Sequence, residues 1–364
     1  MIRRAYHVEA SQRGLSLIEL LIAMGLGAFM LLGIISLVAS VSTTRTELAN
    51  TSDQIENGRY ALQVFNEDVA LGGFFGKYHP GIGAVTYTSP SPCETTAANL
   101  GFDSTLTPVQ MPLAVNAFPY DSASSAPGLT IPSCFSAEVR DKSEILIVRH
   151  VDPNSVAVTA ANIPTGNTTP YLQISGCDLD SLSFRISTDR ADLTLRENGC
   201  TGALSTLAEA WPYTVNAYFI SPCNDCSGAG DGIASLKSYE FRAGSGGIRT
   251  LVEGVEDIHF DYGLDLDGDG GPDCYVVNPT VDTKPAACPV GVIYEWEATD
   301  NLNWQNVVSI QIKMLVRGSR SSSNVSNTKT YNIGREILGP YSDNVKRQVY
   351  STVVMLPNVA GVRE

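Results

Sequence analysis

The chain has 364 residues, 43% hydrophobic and 17% charged, with 32 Gly and 19 Pro; it is long enough for a membrane helix plus a sizeable core, and its turn formers predict many short strands. Its formal net charge of −14 excludes nucleic acid as a partner of the body, because a polyanion of that size repels phosphate backbones. All eight cysteines lie beyond residue 90, an even set confined to one side of the apolar N-terminal stretch, which predicts disulfides in an oxidising compartment such as the periplasm.

In chain order, residues 1–14 come first and are basic, with Arg3, Arg4 and Arg13 against Glu9. From Leu20 to Thr44 no residue is charged, and this run is long enough to cross about 30 Å of hydrocarbon as a helix. The arginines precede the span, so the positive-inside tendency predicts a cytoplasmic leader and a body outside. A secretory signal has an apolar core of only about 7–15 residues. This segment is longer, and Glu19 stands at its start. A carboxylate in the membrane interior costs about 2.5–3.5 kcal/mol and requires a partner. The span contains no Lys or Arg to supply one.

The run Arg13-Gly14-Leu15-Ser16-Leu17-Ile18-Glu19-Leu20 resembles the type III signal of type IV pilins and type II secretion pseudopilins. The resemblance implies that a prepilin peptidase cuts after Gly14, that Leu15 becomes an N-methylated terminus, and that the Glu19 carboxylate pairs with the freed amine of a neighbouring subunit. A buried charge thereby becomes an assembly register. Residues 1–14 are then a cleaved leader, 15–43 the transmembrane part of the helix, and 44–76 its amphipathic periplasmic part.

Leu48, Ile55, Leu62, Phe65 and Val69 recur at roughly helical spacing, predicting a helix through about residue 70 whose apolar stripe packs on a sheet. The run Gln54-Ile55-Glu56-Asn57-Gly58-Arg59-Tyr60-Ala61-Leu62, followed by Leu71-Gly72-Gly73-Phe74-Phe75-Gly76, resembles the helix end of PilW-type minor pilins. Its expected physical role is that of a capped helix terminus.

Residues 77–364 read as a β-rich pilin domain, with Ser/Pro/Thr-rich connections at 86–133 and 152–170. Strands are predicted at Glu144–His150, Val215–Ser221, Ser235–Arg242, Glu256–Leu264, Val307–Arg317 and Gln348–Leu356. Period-two alternation is clearest in Ile258, Phe260, Tyr262, Leu264 and in Val308, Ile310, Ile312, Met314, Val316, which sets Asp257, His259 and Asp261 on the opposite face. The expected class is α+β: a long N-terminal helix packed on a mainly antiparallel sheet with long disulfide-linked loops. The run Leu251-Val252-Glu253-Gly254-Val255-Glu256-Asp257-Ile258, then Tyr262-Gly263, and the strand around Tyr350 also resemble PilW-type proteins.

Asp265-Leu266-Asp267-Gly268-Asp269-Gly270-Gly271-Pro272-Asp273 places carboxylates at positions 1, 3, 5 and 9 and glycine at position 6 of an EF-hand-like calcium loop. Val276 replaces the closing Glu, leaving Asp282 or Asp300 to complete the shell. Calcium and a plain acidic hairpin turn are both open readings. Cys223-Asn224-Asp225-Cys226 fits half a zinc site or a redox pair, but no second close cysteine pair exists, so a local disulfide or a pair of separate disulfides is favoured over metal. Pairing of sequential neighbours, Cys93 with Cys134, Cys177 with Cys200, Cys223 with Cys226 and Cys274 with Cys288, is the expected connectivity. His7, His79, His150 and His259 are scattered, and no nucleophile motif or phosphate loop occurs, so enzymatic activity is not expected. Trp211, Tyr294, Trp296 and Trp304 are expected in the core.

The resemblance implies a minor pilin in type IV pilus assembly, acting near the tip with other minor pilins, the major pilin and a tip adhesin, first in the inner membrane with a periplasmic C-terminal domain and then in the pilus. A J-type pseudopilin of type II secretion and a membrane-anchored calcium-binding adhesin are the alternatives.

Overall fold

The computed structural model describes residues 14, 16–78, 85–118, 131–140, 143–201, 206–242, 245–279, 284–289, 296, 303–322 and 326–361. The chain divides into two units, Met1–Ser52 and Asp53–Glu364. Helix α1 runs from Leu17 to Leu71. It contains no proline, so nothing removes a backbone donor from its ladder. In the first unit its apolar side chains, among them Leu21, Met24, Phe29 and Ile35, are exposed, and the segment is long and apolar enough to span a membrane.

The second unit holds fifteen strands among the described residues: β1 (Val85–Thr88), β2 (Val109–Pro112), β3 (Val115–Phe118), β4 (Ile145–Val151), β5 (Tyr171–Ile174), β6 (Phe184–Ser187), β7 (Ala210–Ser221), β8 (Ser235–Arg242), β9 (Ser245–Glu253), β10 (Val255–Leu264), β11 (Cys274–Val276), β12 (Val307–Arg317), β13 (Tyr331–Asn332), β14 (Ile337–Leu338) and β15 (Arg347–Met355). A one-turn helix α2 follows at Pro357–Ala360. The class is α+β, as expected, and every strand pair is antiparallel except β1 with β2. The six predicted strands correspond to β4, β7, β8, β10, β12 and β15.

β7 organises the larger, seven-stranded sheet: it pairs with β4 and β8 along most of its length and with β5 at its N-terminal end. The smaller sheet has the order β11-β10-β12-β15. The two sheets are joined at Gly254, which lies between β9 and β10 with φ of +83°. A Cβ there would sit 2.9 Å from the Arg317 carbonyl oxygen, so only glycine lets the chain turn from one sheet into the other at this spot.

Ala61, Phe65 and Val69 of α1 are fully buried in one core with Leu146, Val148 and Tyr218 of the larger sheet and Ile258, Phe260, Ile312 and Met314 of the smaller. The opposite face of the larger sheet is buried too, under Phe75, Phe102, Met111 and Phe135. Burial on both faces explains why every residue of β4 is buried and why its sequence lacks alternation.

Four expectations are corrected. The buried stripe of α1 is Gln54, Gly58, Ala61, Phe65 and Val69; Leu48 is exposed, and Ile55 and Leu62 are only half-buried. The 54–62 run lies inside the helix, which ends later, where Gly73 takes φ of +79° and donates its N–H to the Arg149 carbonyl at 3.0 Å. In β12 Val307 joins the core shared with α1, while Val308, also fully buried, lies outside that cluster where the register shifts between Gly263 and Leu264. The 86–133 connection carries β2 and β3 and most of β1.

Candidate functional site

At the N-terminus, residues 1–13 and Leu15 lie outside the described residues, and Gly14 is exposed. Ser16 immediately precedes α1, and its backbone N–H donates to Glu19 Oε2 at 3.1 Å. This is half of a capping box: a Glu in the first turn reaches back to the N–H of the residue that caps the helix. The carboxylate is exposed in the single chain.

The acidic loop connects β10 to β11, and its ends are tied where Leu264 pairs with Cys274. Asp265 is fully buried, and its two oxygens accept from the N–H groups of Gly268 (2.6 Å) and Gly270 (3.1 Å). Gly270, at position 6 of the loop pattern, has φ of +80°, the sharp turn such loops require. Asp265, Asp267 and Asp269 each bring a carboxylate oxygen to within 4.8 Å of the others. Oxygens that share a calcium ion, each about 2.3–2.6 Å from it, stand within about 5 Å of one another, so these three fit a cation. Asp273 does not join them; its Oδ2 accepts instead from the N–H groups of Leu266 and Asp267. The Asp269 N–H favours an ionised Asp267, yet desolvation and the charges of Asp269, Asp273 and Asp265 together push its pKa above the usual aspartate value. Val276 is buried on β11, and Asp282 and Asp300 lie outside the described residues.

The third constellation, the 54–62 run expected to cap the helix, is a docking seam. Gln54 Nε2 donates to the Val316 carbonyl at 2.8 Å, and Asn57 Nδ2 donates to the Glu253 carbonyl at 3.1 Å, next to the Gly254 joint. A Cβ on Gly58 would lie 2.4 Å from Tyr350 Cζ, so the ring of β15 occupies the place of the missing side chain. Tyr350 also donates its hydroxyl to the Gln54 carbonyl at 3.3 Å. Further along, His150 Nε2 and Asn216 Nδ2 meet Asp68 Oδ1 at 2.9 and 2.7 Å. Burial opposes the charged His150 ring, but the hydrogen bond and charge of Asp68 outweigh it and raise the pKa. At the helix end, Asn358 of α2 donates to the Ala70 carbonyl at 3.0 Å. Sequence reasoning missed Gln54, Asn57 and Asn358 as contacts because a polar residue on a helix face reads as solvated.

His259 and Asp261 lie on the face of β10 opposite Ile258 and Phe260, but they are roofed over instead of bathed in solvent. Arg335 reaches down from the turn between β13 and β14 to Glu144 (2.6 Å) and Asp261 (3.5 Å), while Glu144 also meets His259 Nδ1 at 2.9 Å. Trp211 and Trp304 are buried, Trp296 packs against the core, and Tyr294 lies outside the described residues.

The cysteines form four disulfides: Cys93–Cys134, Cys177–Cys200, Cys223–Cys226 and Cys274–Cys288, with sequence separations of 41, 23, 3 and 14. On the loop-closure argument the three longer bridges contribute about 3–4 kcal/mol each and the short one about 2.

Comparison with known families gives two matches. Residues 10–35 match the prokaryotic N-terminal methylation motif, a segment holding Gly14, Leu15 and Glu19. Residues 217–358 match the type IV pilus-assembly protein W family, from within β7 through both halves of the Gly254 joint to Asn358. No curated protein and no solved structure matches the chain.

Proposed function

We propose that this chain, a prepilin of the PilW type, is a minor pilin that prepilin peptidase matures by cutting after Gly14 and that then enters a type IV pilus near its tip. The observation that carries the reading is the Glu19 carboxylate hydrogen-bonded to the Ser16 N–H. Removal of residues 1–14 leaves a positive, methylated Leu15 amine next in sequence to Ser16, whose N–H that oxygen accepts. The same carboxylate is then in reach of an amine, its own or that of an adjacent subunit, and its cost within the membrane is offset only once the pair forms. In the membrane, residues 15–43 are the span and the body from residue 44 onward lies in the periplasm. The pilus side is favoured over a type II pseudopilin by the match to the pilus-assembly family.

The expected result is a mature protein whose first residue is methylated Leu15, read by N-terminal mass analysis. Glu19→Ala is expected to be cut and inserted normally, yet to be lost from sheared pili by at least tenfold relative to the wild type. Normal recovery of this variant in pili refutes the assembly role, and a mature terminus elsewhere refutes the processing.

A calcium ion on the acidic loop is a second, separate proposal, favoured by the convergence of Asp265, Asp267 and Asp269. Lacking the bidentate Glu, the loop is expected to bind with a Kd on the order of 10⁻⁴ M. One millimolar calcium then stabilises the fold by about 1.4 kcal/mol, seen as a higher Tm of the detergent-solubilised chain. Asp265→Asn with Asp269→Asn should remove that shift. An unchanged calorimetric trace with and without calcium would reduce the loop to a turn.

A further inference from the structure

The Cys223–Cys226 pair differs from the other three disulfides in its surroundings. It closes the shortest loop, with a separation of 3, so it restrains the unfolded chain least. Both sulfurs belong to half-exposed residues. Cys226 lines an open cleft of about 400 Å³ together with Glu138, Asp225, Ser227 and Lys237.

The two sulfurs are not equivalent. Lys237, on β8, is buried with 3% of its surface exposed, and its ammonium stands 3.3 Å from Cys226 Sγ. Glu138 holds that ammonium in place from the far side at 2.6 Å. The buried hydroxyl of Ser221 is 3.4 Å from Cys226 Sγ and 3.9 Å from Cys223 Sγ. Two donors thus converge on the sulfur of Cys226. A cation and a hydroxyl at a sulfur stabilise the thiolate, which makes that sulfur the better leaving group in exchange.

The loop is also held by hydrogen bonds of its own. The Asp231 carboxylate accepts from the N–H groups of Asn224, Asp225 and Ile233, each at 3.0 Å, and the Asp231 N–H donates to the Asp225 carbonyl at 3.1 Å. None of these bonds involves either sulfur.

We propose that Cys223–Cys226 is a thiol–disulfide exchange site whose co-reactant is a dithiol, of the kind carried by thiol–disulfide oxidoreductases. One thiolate of the dithiol attacks Cys223 Sγ, forming a mixed disulfide and breaking the Cys223–Cys226 bond. The electron pair leaves on Cys226 Sγ, as a thiolate beside Lys237. The second thiolate of the dithiol then attacks its partner sulfur in the mixed disulfide, releasing the Cys223 thiolate, which takes up a proton from water. Two electrons pass from the dithiol, which becomes a disulfide, to the cystine, which becomes two cysteines. The other charges facing Cys226 among the described residues, the Glu138, Asp225 and Asp231 carboxylates, oppose a thiolate there, so its stabilisation rests on the direct contact with the Lys237 ammonium at 3.3 Å.

The test uses the full chain in detergent, titrated with dithiothreitol and quenched by differential alkylation with mass analysis. Cys223 and Cys226 are expected to open at a dithiothreitol concentration at least tenfold below that needed for the other six cysteines, with tryptophan fluorescence unchanged. The reduced Cys226 is expected to react with iodoacetamide with a half-maximal pH below the ordinary thiol value of about 8.5. That midpoint should rise in Lys237→Gln and return in Lys237→Arg. All four bridges opening together with loss of structure, or another bridge opening first, overturns the proposal. A wild-type midpoint at or above 8.5 overturns the role of Lys237 even if the glutamine variant does not fold.

Discussion

Replacing Phe65 with alanine is expected to destabilise the body by about 3–5 kcal/mol. Phe65 is fully buried, and its ring stands 5.0 Å from Tyr218 of the larger sheet and 5.8 Å from Phe260 of the smaller. It is therefore the one helical side chain that touches an aromatic ring of each sheet through the described ring pairs. Truncation forfeits the transfer free energy of the ring and leaves a void bounded by three rigid elements that cannot all close on it. With a typical domain stability of about 5–15 kcal/mol, such a loss leaves a marginal fold. Urea unfolding of the detergent-solubilised chain, followed by tryptophan fluorescence, measures it. A loss below 1 kcal/mol would mean that the helix is not held to the sheets by this core.

Gly58→Ala tests the seam in a different way, because two effects oppose each other there. In a free helix alanine is better than glycine by about 1 kcal/mol. Here the new methyl meets the Tyr350 ring, which is fixed by its hydroxyl bond to the Gln54 carbonyl. Overpacking costs about 1–3 kcal/mol, so the net change is expected to be destabilising. Gly58→Val adds a second branch at the same contact and should cost several kcal/mol. In a Tyr350→Ala background the obstruction is gone and the sign reverses: Gly58→Ala should stabilise by about 1 kcal/mol. A double-mutant cycle on unfolding free energies reads this directly. Stabilisation by Gly58→Ala in the wild-type background would show that the ring does not depend on the glycine.

The contrast between these two residues shows what the sequence makes legible. Phe65 and Val69 announce themselves, since apolar residues at helical spacing have few other uses. Gln54, Asn57 and Gly58 do not, because their role exists only once Val316, Glu253 and Tyr350 are brought alongside from about 200–300 residues away. β10, β12 and β15 of the smaller sheet are legible in the sequence, and for β10 the reason is the same as for Phe65: one face meets the core and the other meets polar groups, so alternation survives. β5 and β6 were not predicted, being four residues each and paired mainly within a sheet that has no exposed face to pattern. The acidic loop was legible as a turn with a carboxylate set, but not that Asp273 would bend away to satisfy the loop's own backbone.

The lock that Asn358 places on the end of α1 also orders the steps by which the protein matures. The groups it joins are separated by 288 residues, and the Tyr350 and Gln54 contacts by 296 and 262. A ribosome adding about 5–20 residues per second makes α1 well before it makes its partners. During that interval Phe65 and Val69 have no sheet to cover them, and the early helix is a hydrophobic surface looking for company. Contacts of such long sequence separation form late and slowly. The body thus closes only after β15 and α2 have emerged, and a helix made early becomes rigid through segments made late.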